Sequence, residues 1–195
     1  MHLILASTSP FRAQILNAAG LDFAIEAPRV VETEISADSP SRLALARARA
    51  KAEDVFSRNT AAMVIGADQI MALGDETFDK VNTREDARAV LRRLAGRLHI
   101  LYSALAVLAP ENRRFFHVTH VPMVMWPLSD EEIEAYLDTD EWLGSVGCYK
   151  IEGRGVRLFS AIGGDSSAII GLPLPPLMGF LRQVSFWRET RQKLS

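Results

Sequence analysis

Three short stretches of this chain combine residue types that bind phosphate and move protons. The first is Leu5-Ala6-Ser7-Thr8-Ser9-Pro10-Phe11-Arg12. An apolar run ends, small hydroxyl residues follow, and Ser9-Pro10 has the form of a helix start. Free backbone N–H groups and the positive end of a helix dipole favour a phosphate at such a turn. Arg12 adds a forked cation at the same end. The second stretch is Val64-Ile65-Gly66-Ala67-Asp68-Gln69. A carboxylate directly after a buried strand sits at the sheet's carboxyl edge, where the ligand clefts of α/β proteins open. There Asp68 can take a proton from water or hold a divalent metal. The third feature is a pair of lysines, Lys51 and Lys80, each able to neutralise phosphate. Two further carboxylates stand near such groups. Glu32 can help hold a metal, and Glu152 lies among glycines that permit close approach of a ligand.

Each of these residues also has a plainer reading. Ser9 can cap a helix with Arg12 in solvent. Asp68, Glu32 and Glu152 can be turn or loop carboxylates. Lone lysines are usually solvated, and Arg47 with Lys51 on one basic helix face fits that pattern.

Positioning such groups requires alternating strands and helices. Residues 2–6 read as a short buried strand, followed by a helix from Ser9-Pro10 to Gly20. Ser39-Pro40 opens a long Ala/Arg-rich helix through about Phe56. Residues 61–67 read as a second buried strand, and 74–82 as a polar loop or hairpin. Thr83-Arg84-Glu85-Asp86 resembles a capping box ahead of a helix that Gly96 would end. Residues 99–108 and 115–126 read as an antiparallel hairpin turning over Pro110–Arg114. Ser129 opens another helix, and 144–155 is a Gly-rich loop region. A strand over Val156–Phe159, a turn at Gly163-Gly164-Asp165 and a short helix near Leu177–Arg182 complete the order. The tail after Ser185 is polar. The expected fold class is α/β with a mixed sheet, as a single domain over residues 1–195.

Composition narrows the functions. Hydrophobic residues make up 48% and charged residues 24% of the 195, which supports a globular core. The net charge of -2 gives no global basic field for a nucleic acid backbone. No apolar run approaches membrane-spanning length, and the short apolar N-terminus lacks the form of a signal peptide. The single cysteine, Cys148, fits a reducing cytoplasm and can form no internal disulfide. His2, His99, His117 and His120 show no zinc spacing and read as structural. There is no Gly-x-Ser-x-Gly elbow and no Gly-x-x-x-x-Gly-Lys phosphate loop.

Taken together, the pieces resemble the Maf family of nucleoside triphosphate pyrophosphatases. The matching segments are LASTSPFR at 5–12, Glu32, ARAKA at 48–52, VIGADQ at 64–69, Lys80, LAGRLH at 94–99, GCYKIEGRG at 147–155 and IGGDSSAIIGLPL at 162–174. They stand in family order and cover nearly the whole chain. The resemblance implies a mixed α/β fold with two lobes around a deep cleft, similar to that of the inosine triphosphate pyrophosphatases. It implies hydrolysis between the α and β phosphates, with Asp68 as the catalytic carboxylate. Ser7, Ser9, Arg12, Lys51 and Lys80 would contact phosphates. Glu32 and Asp68 would hold a divalent cation, Mg²⁺ or Mn²⁺. A homodimer is compatible with the resemblance, although no interface signature stands out.

Three positions bear on the substrate. Phe11 stands where many members carry a second arginine, Gln69 where the dTTP/UTP-hydrolysing members tend to have threonine, and Glu152 where they have glutamine. All three resemble the 7-methyl-GTP branch. A 7-methylguanine ring is cationic and is attracted to an aromatic face. A carboxylate can accept from guanine's N1–H and N2 amine. Val31, Val81 and Ser145 depart from residues common in the family. The alternatives are a dTTP/UTP pyrophosphatase, a nucleotide-binding regulator of cell division with little catalysis, and a protein-interaction domain.

Overall fold

The computed structural model describes residues 2–184 and Phe186. The polar tail expected after Ser185 lies, apart from Phe186, outside the described residues. Among these residues the chain forms strands β1 (Leu3–Ala6), β2 (Ala24–Ile25), β3 (Met63–Leu73), β4 (Glu76–Phe78), β5 (Leu98–Ala109), β6 (Arg113–Met125) and β7 (Phe159–Ile162). The helices are α1 (Pro10–Ala18), α2 (Pro40–Arg58), α3 (Arg84–Leu94), α4 (Asp130–Leu137), α5 (Ser166–Ile170) and α6 (Leu174–Gln183). Short 3-10 turns cover Glu32–Glu34 and Arg154–Leu158.

The expected helix starts form for the expected reasons. Ser9 and Ser39 accept the N–H groups of Arg12 and Arg42, and a proline follows each cap. Thr83 caps α3 through Asp86 N–H, and Ser129 with Glu132 closes a full capping box on α4.

The strands make one mixed sheet in the order β2-β1-β3-β5-β6-β7, with β4 beside β3. β1 pairs in parallel with β2 and β3, and the remaining pairs are antiparallel. The long β5–β6 hairpin matches its sequence pattern. One face of the β1–β3–β5 region packs Val64, Ala104 and Ala106 against Ala44, Ala48, Ala52 and Val55 of α2. The opposite face packs Ile65, Ala67 and Leu105 against α1 and α6. Beyond Met71 a further core gathers α3, α4, the far ends of β5 and β6, and Trp142 to Phe159. These cores make two lobes, and the cleft lies where β3 passes from one to the other. No helix among the described residues is long and apolar enough to cross a membrane.

Three expectations need correction. The second buried strand does not stop at Ala67; β3 runs on to Leu73, so Asp68 lies within a strand rather than after one. β5 pairs with it without interruption from Val64 to Ala72 and keeps it extended. Val156 and Arg157 are not strand but part of the 3-10 turn, and β7 begins at Phe159. The cause lies just upstream: a Cβ on Gly155 would stand 2.5 Å from the Lys150 carbonyl oxygen, so the backbone folds tightly on itself there. The stretch after Gly164 holds α5, a five-residue helix capped by Asp165, and the last helix begins at Leu174 rather than near Leu177.

Candidate active site in the cleft between the lobes

The cleft opens because β3 has a gap in its pairing. On one edge β3 pairs with β1 only through Gly66, where β1 ends at Ala6, and with β4 only from Met71 onward. Residues 67–70 therefore pair with β5 on one edge and with no strand among the described residues on the other. Alternation along the strand sends Asp68 toward the α2 face and Gln69 toward the α1/α5 face. Two consecutive residues thus enter the same cavity from opposite faces of the sheet.

Helix α2 is held unusually close at this point. A Cβ on Gly66 would lie 2.2 Å from the Ala48 carbonyl oxygen and 2.9 Å from the Ala52 Cβ. Glycine on the strand and alanines on the helix remove that obstacle. Lys51 belongs to the buried stripe of α2, which carries its ammonium to Asp68. Lys51 Nζ donates to Asp68 Oδ1 at 2.6 Å and pairs with Glu32 Oε1 at 2.8 Å. Lys51 is 6% and Asp68 4% exposed, so this is a desolvated pair.

Electrostatics separates the two carboxyls. Burial pushes the Asp68 carboxyl above the usual aspartate range, against the opposing charges of Lys51 and Arg12. Partial burial also acts on Glu32, but the Lys51 hydrogen bond and charge, with Arg47 and Arg12, outweigh it and hold Glu32 low. Asp68 Oδ2 is buried and has no hydrogen-bond partner among the described residues. An unfilled buried carboxylate oxygen calls for a water, a proton or a cation.

Arg12 is tied down at both ends of its fork. Its Nε donates to the Gly171 carbonyl at 2.9 Å and its Nη1 to Ser7 Oγ at 3.2 Å. Ser7 Oγ also accepts the Ser9 N–H. The guanidinium is therefore aimed before any ligand arrives. Burial lowers the Arg12 pKa, and Asp68 and Glu32 oppose that. The α1 start thus combines a Ser9 cap with a fixed arginine.

The other end of the cleft is built differently. The Gln69 amide nitrogen donates to the carbonyls of Ala168 and Ile169, both at 2.9 Å. Its donors are taken up by α5, which leaves the side-chain oxygen as an acceptor. Lys150 Nζ sits 5.7 Å from the centroid of the Phe11 ring. Phe11, Gln69, Lys150 and Glu152 all line the cavity.

Every site residue proposed from sequence reaches this one cavity of about 710 Å³: Ser7, Ser9, Phe11, Arg12, Glu32, Lys51, Asp68, Gln69, Lys80 and Glu152. Sequence reasoning gave no role to Arg47 and Lys150, which line it too. Arg47 had a signal, since it lies four residues before Lys51 on the same helix face. Lys150 had none beyond its place in the loop. Of the carboxylates that line the cavity, Glu32 and Asp68 are the two that meet at Lys51. No group of three or more His, Cys, Asp or Glu gathers as a metal cage among the described residues.

His99 and Cys148 keep the structural character expected of them. His99 Nε2 lies 2.8 Å from the Tyr149 hydroxyl in the core beyond the cleft. Burial pushes His99 down to about 4 and the Cys148 thiol up to about 12.

The Maf-like protein family profile matches residues 2–184. The chain belongs to the Maf family. Among Maf relatives, the 7-methyl-GTP pyrophosphatase of Rhizobium johnstonii is 42% identical over 190 residues, 93% of this chain and 96% of its own. The nucleoside triphosphate pyrophosphatase of Rhodopseudomonas palustris strain BisB5 is 45% identical over 186 residues, 92% of each chain. The 7-methyl-GTP pyrophosphatase of Brucella abortus is 39% identical over 191 residues, 94% of this Maf chain and 96% of its own. Among solved structures, a nucleoside-triphosphatase, dITP/XTP pyrophosphatase, from Mycobacterium abscessus is a distant neighbour. It is 15% identical with a TM-score of 0.43 and covers 66% of this Maf chain and 76% of its own.

Proposed function

We propose that this chain is a nucleoside triphosphate pyrophosphatase. It hydrolyses the α–β phosphoanhydride to a nucleoside monophosphate and pyrophosphate, with 7-methyl-GTP as the favoured substrate. The observation that carries this reading is the buried Lys51 ammonium bridging Glu32 and Asp68, beside an Asp68 oxygen with no partner. Arg12, held by Ser7 and Gly171, stands beside it in a cleft sized for a nucleotide. The names of the Rhizobium, Rhodopseudomonas and Brucella relatives support the same reaction.

In this mechanism Asp68 is the general base. Its raised pKa makes it a better proton acceptor than an ordinary aspartate, while the charges of Lys51 and Arg12 favour its ionised form. Oδ2 takes a proton from water. The water oxygen forms a bond to phosphorus in line with the anhydride bond, which breaks and releases pyrophosphate from the monophosphate. Arg12 and Lys80 hold the phosphate chain, and Ser7 and Ser9 present hydroxyl and backbone donors at the α1 start. A divalent cation, when bound, would neutralise phosphate charge as the bond breaks. Glu32 and the Asp68 carboxylate would hold such a hard cation, Mg²⁺ or Mn²⁺.

At the base end, Gln69 offers an acceptor because its amide nitrogen is engaged, and Glu152 is acceptor-only when ionised. Two acceptors favour a base edge with several N–H donors, as guanine has. Phe11 offers its face to a cationic ring, which would have to displace the Lys150 ammonium. The same reading takes residues 1–195 as one catalytic domain working in the cytoplasm. Pyrophosphate release from a panel of canonical and modified nucleoside triphosphates tests it. Preference for 7-methyl-GTP over dTTP and UTP is expected. The reverse preference would remove the base assignment and leave the chemistry standing.

A further inference from the structure

Arg47 lines the cleft but has no part in the chemistry above. It stands one helical turn before Lys51 on α2, so both side chains leave the same face. Its Nε is buried and finds no hydrogen-bond acceptor among the described residues. The other arginines of α2 all have carboxylate partners. Arg42 pairs with Asp38, Arg49 with Glu53, and Arg58 with Glu26 and Asp54. A buried guanidinium donor left open is costly, and native structures rarely keep one without a use.

The cations around Asp68 are already engaged. Lys51 is held between Asp68 and Glu32, and Arg12 between Ser7 and Gly171. Lys80, the other cation assigned to the phosphate chain, is a single ammonium, so a triphosphate has oxygens left for a further forked donor. Arg47 is such a donor, and it is near enough to Glu32 to help hold that carboxylate ionised. Its planar fork matches two phosphate oxygens at once.

We propose that Arg47 binds the outer phosphates of the triphosphate, the pair that departs as pyrophosphate. This rests on the pyrophosphatase reading above. Arg47 is then a phosphate-binding residue that grips the leaving group and slows its escape.

The test is calorimetric titration of wild type, Arg47→Met and Arg47→Lys with inorganic pyrophosphate and, separately, with nucleoside monophosphate. Melting temperatures and hydrolysis rates are taken on the same preparations. Arg47→Met should bind pyrophosphate about tenfold more weakly, the worth of one charge-assisted contact. Arg47→Lys should recover part of that loss, and monophosphate affinity should stay unchanged in both. Unchanged pyrophosphate affinity in a folded Arg47→Met would overturn the proposal. An equal loss for both products would overturn it too, because it would mark a general disturbance of the cleft. Failure of the underlying function looks different: wild type itself would release no pyrophosphate from any triphosphate and bind neither product.

Discussion

Two of the charge clusters among the described residues differ chiefly in their access to water. In the cleft, Lys51, Asp68 and Glu32 share one ammonium, with Lys51 and Asp68 almost fully buried. Between α3 and α4, Arg84 and Arg88 converge on Glu134, Arg84 also reaches Asp138, and Arg92 meets Asp130. The second cluster has more ion pairs, yet its members are solvated. Hydrogen bonds from Arg88 and Arg84 pull Glu134 down to about 2. Burial drives Asp68 the other way, although it too touches a cation. Solvent access, not the number of partners, decides which way these two carboxyls shift. The α3–α4 cluster joins two helices at the surface, and in the proposed mechanism the cleft cluster holds the proton acceptor.

Substitutions should separate the two clusters in a graded way. Asp68→Asn keeps the shape and removes the base. Its kcat for pyrophosphate release should fall by about 10³-fold, while nucleotide binding followed by calorimetry persists. Near-wild-type turnover would move the base elsewhere. Lys51→Met should come next, since it leaves a buried carboxylate without its counter-ion. Denaturant unfolding at neutral pH should register a loss of about 3–5 kcal/mol, smaller if Asp68 takes up a proton. The same variant carries a pH signature. The base works only when ionised, so kcat/KM in wild type should rise with pH through a limb above the ordinary aspartate range. Losing Lys51 favours the neutral carboxyl further, so that limb should move to higher pH. A limb that moved down would contradict the assigned pairing.

Glu152→Gln is a smaller change, confined to the base end. The ratio of kcat/KM for 7-methyl-GTP over UTP should drop by about tenfold, with the phosphate chemistry little altered. Glu134→Gln, in the exposed cluster, should leave turnover unchanged and lower the unfolding midpoint only slightly. A large loss of activity from Glu134→Gln would erase the distinction between the clusters.

Much of this was legible in the sequence. Caps at Ser9, Ser39, Thr83 and Ser129 declare themselves by residue type, and the β5–β6 hairpin by its apolar runs and polar turn. Family order supplied the candidate site residues, and the structure brings them to one cavity. Their mutual geometry was not legible. Asp68 interrupts an apolar run, so β3 seemed to end where it merely passes an opening. That opening exists because β1 is short and β4 starts late, which is a property of three strands and of no single stretch. Lys51 looked like one of several basic residues on α2. Its burial follows from Gly66 against Ala48 and Ala52, a contact between segments whose closeness no local pattern reports. α5 is only five residues long, too short for a helical period to show, yet it holds Gln69 through two carbonyls.

In the proposed reaction the chain breaks the α–β anhydride with Asp68 as base. Product analysis tests it most directly: wild type and Asp68→Asn are given 7-methyl-GTP with Mg²⁺ or Mn²⁺, and all phosphorus-containing products are resolved. Wild type should yield monophosphate and pyrophosphate in equal amounts, with almost none from Asp68→Asn. Diphosphate with orthophosphate, or equal product from both proteins, would contradict the account.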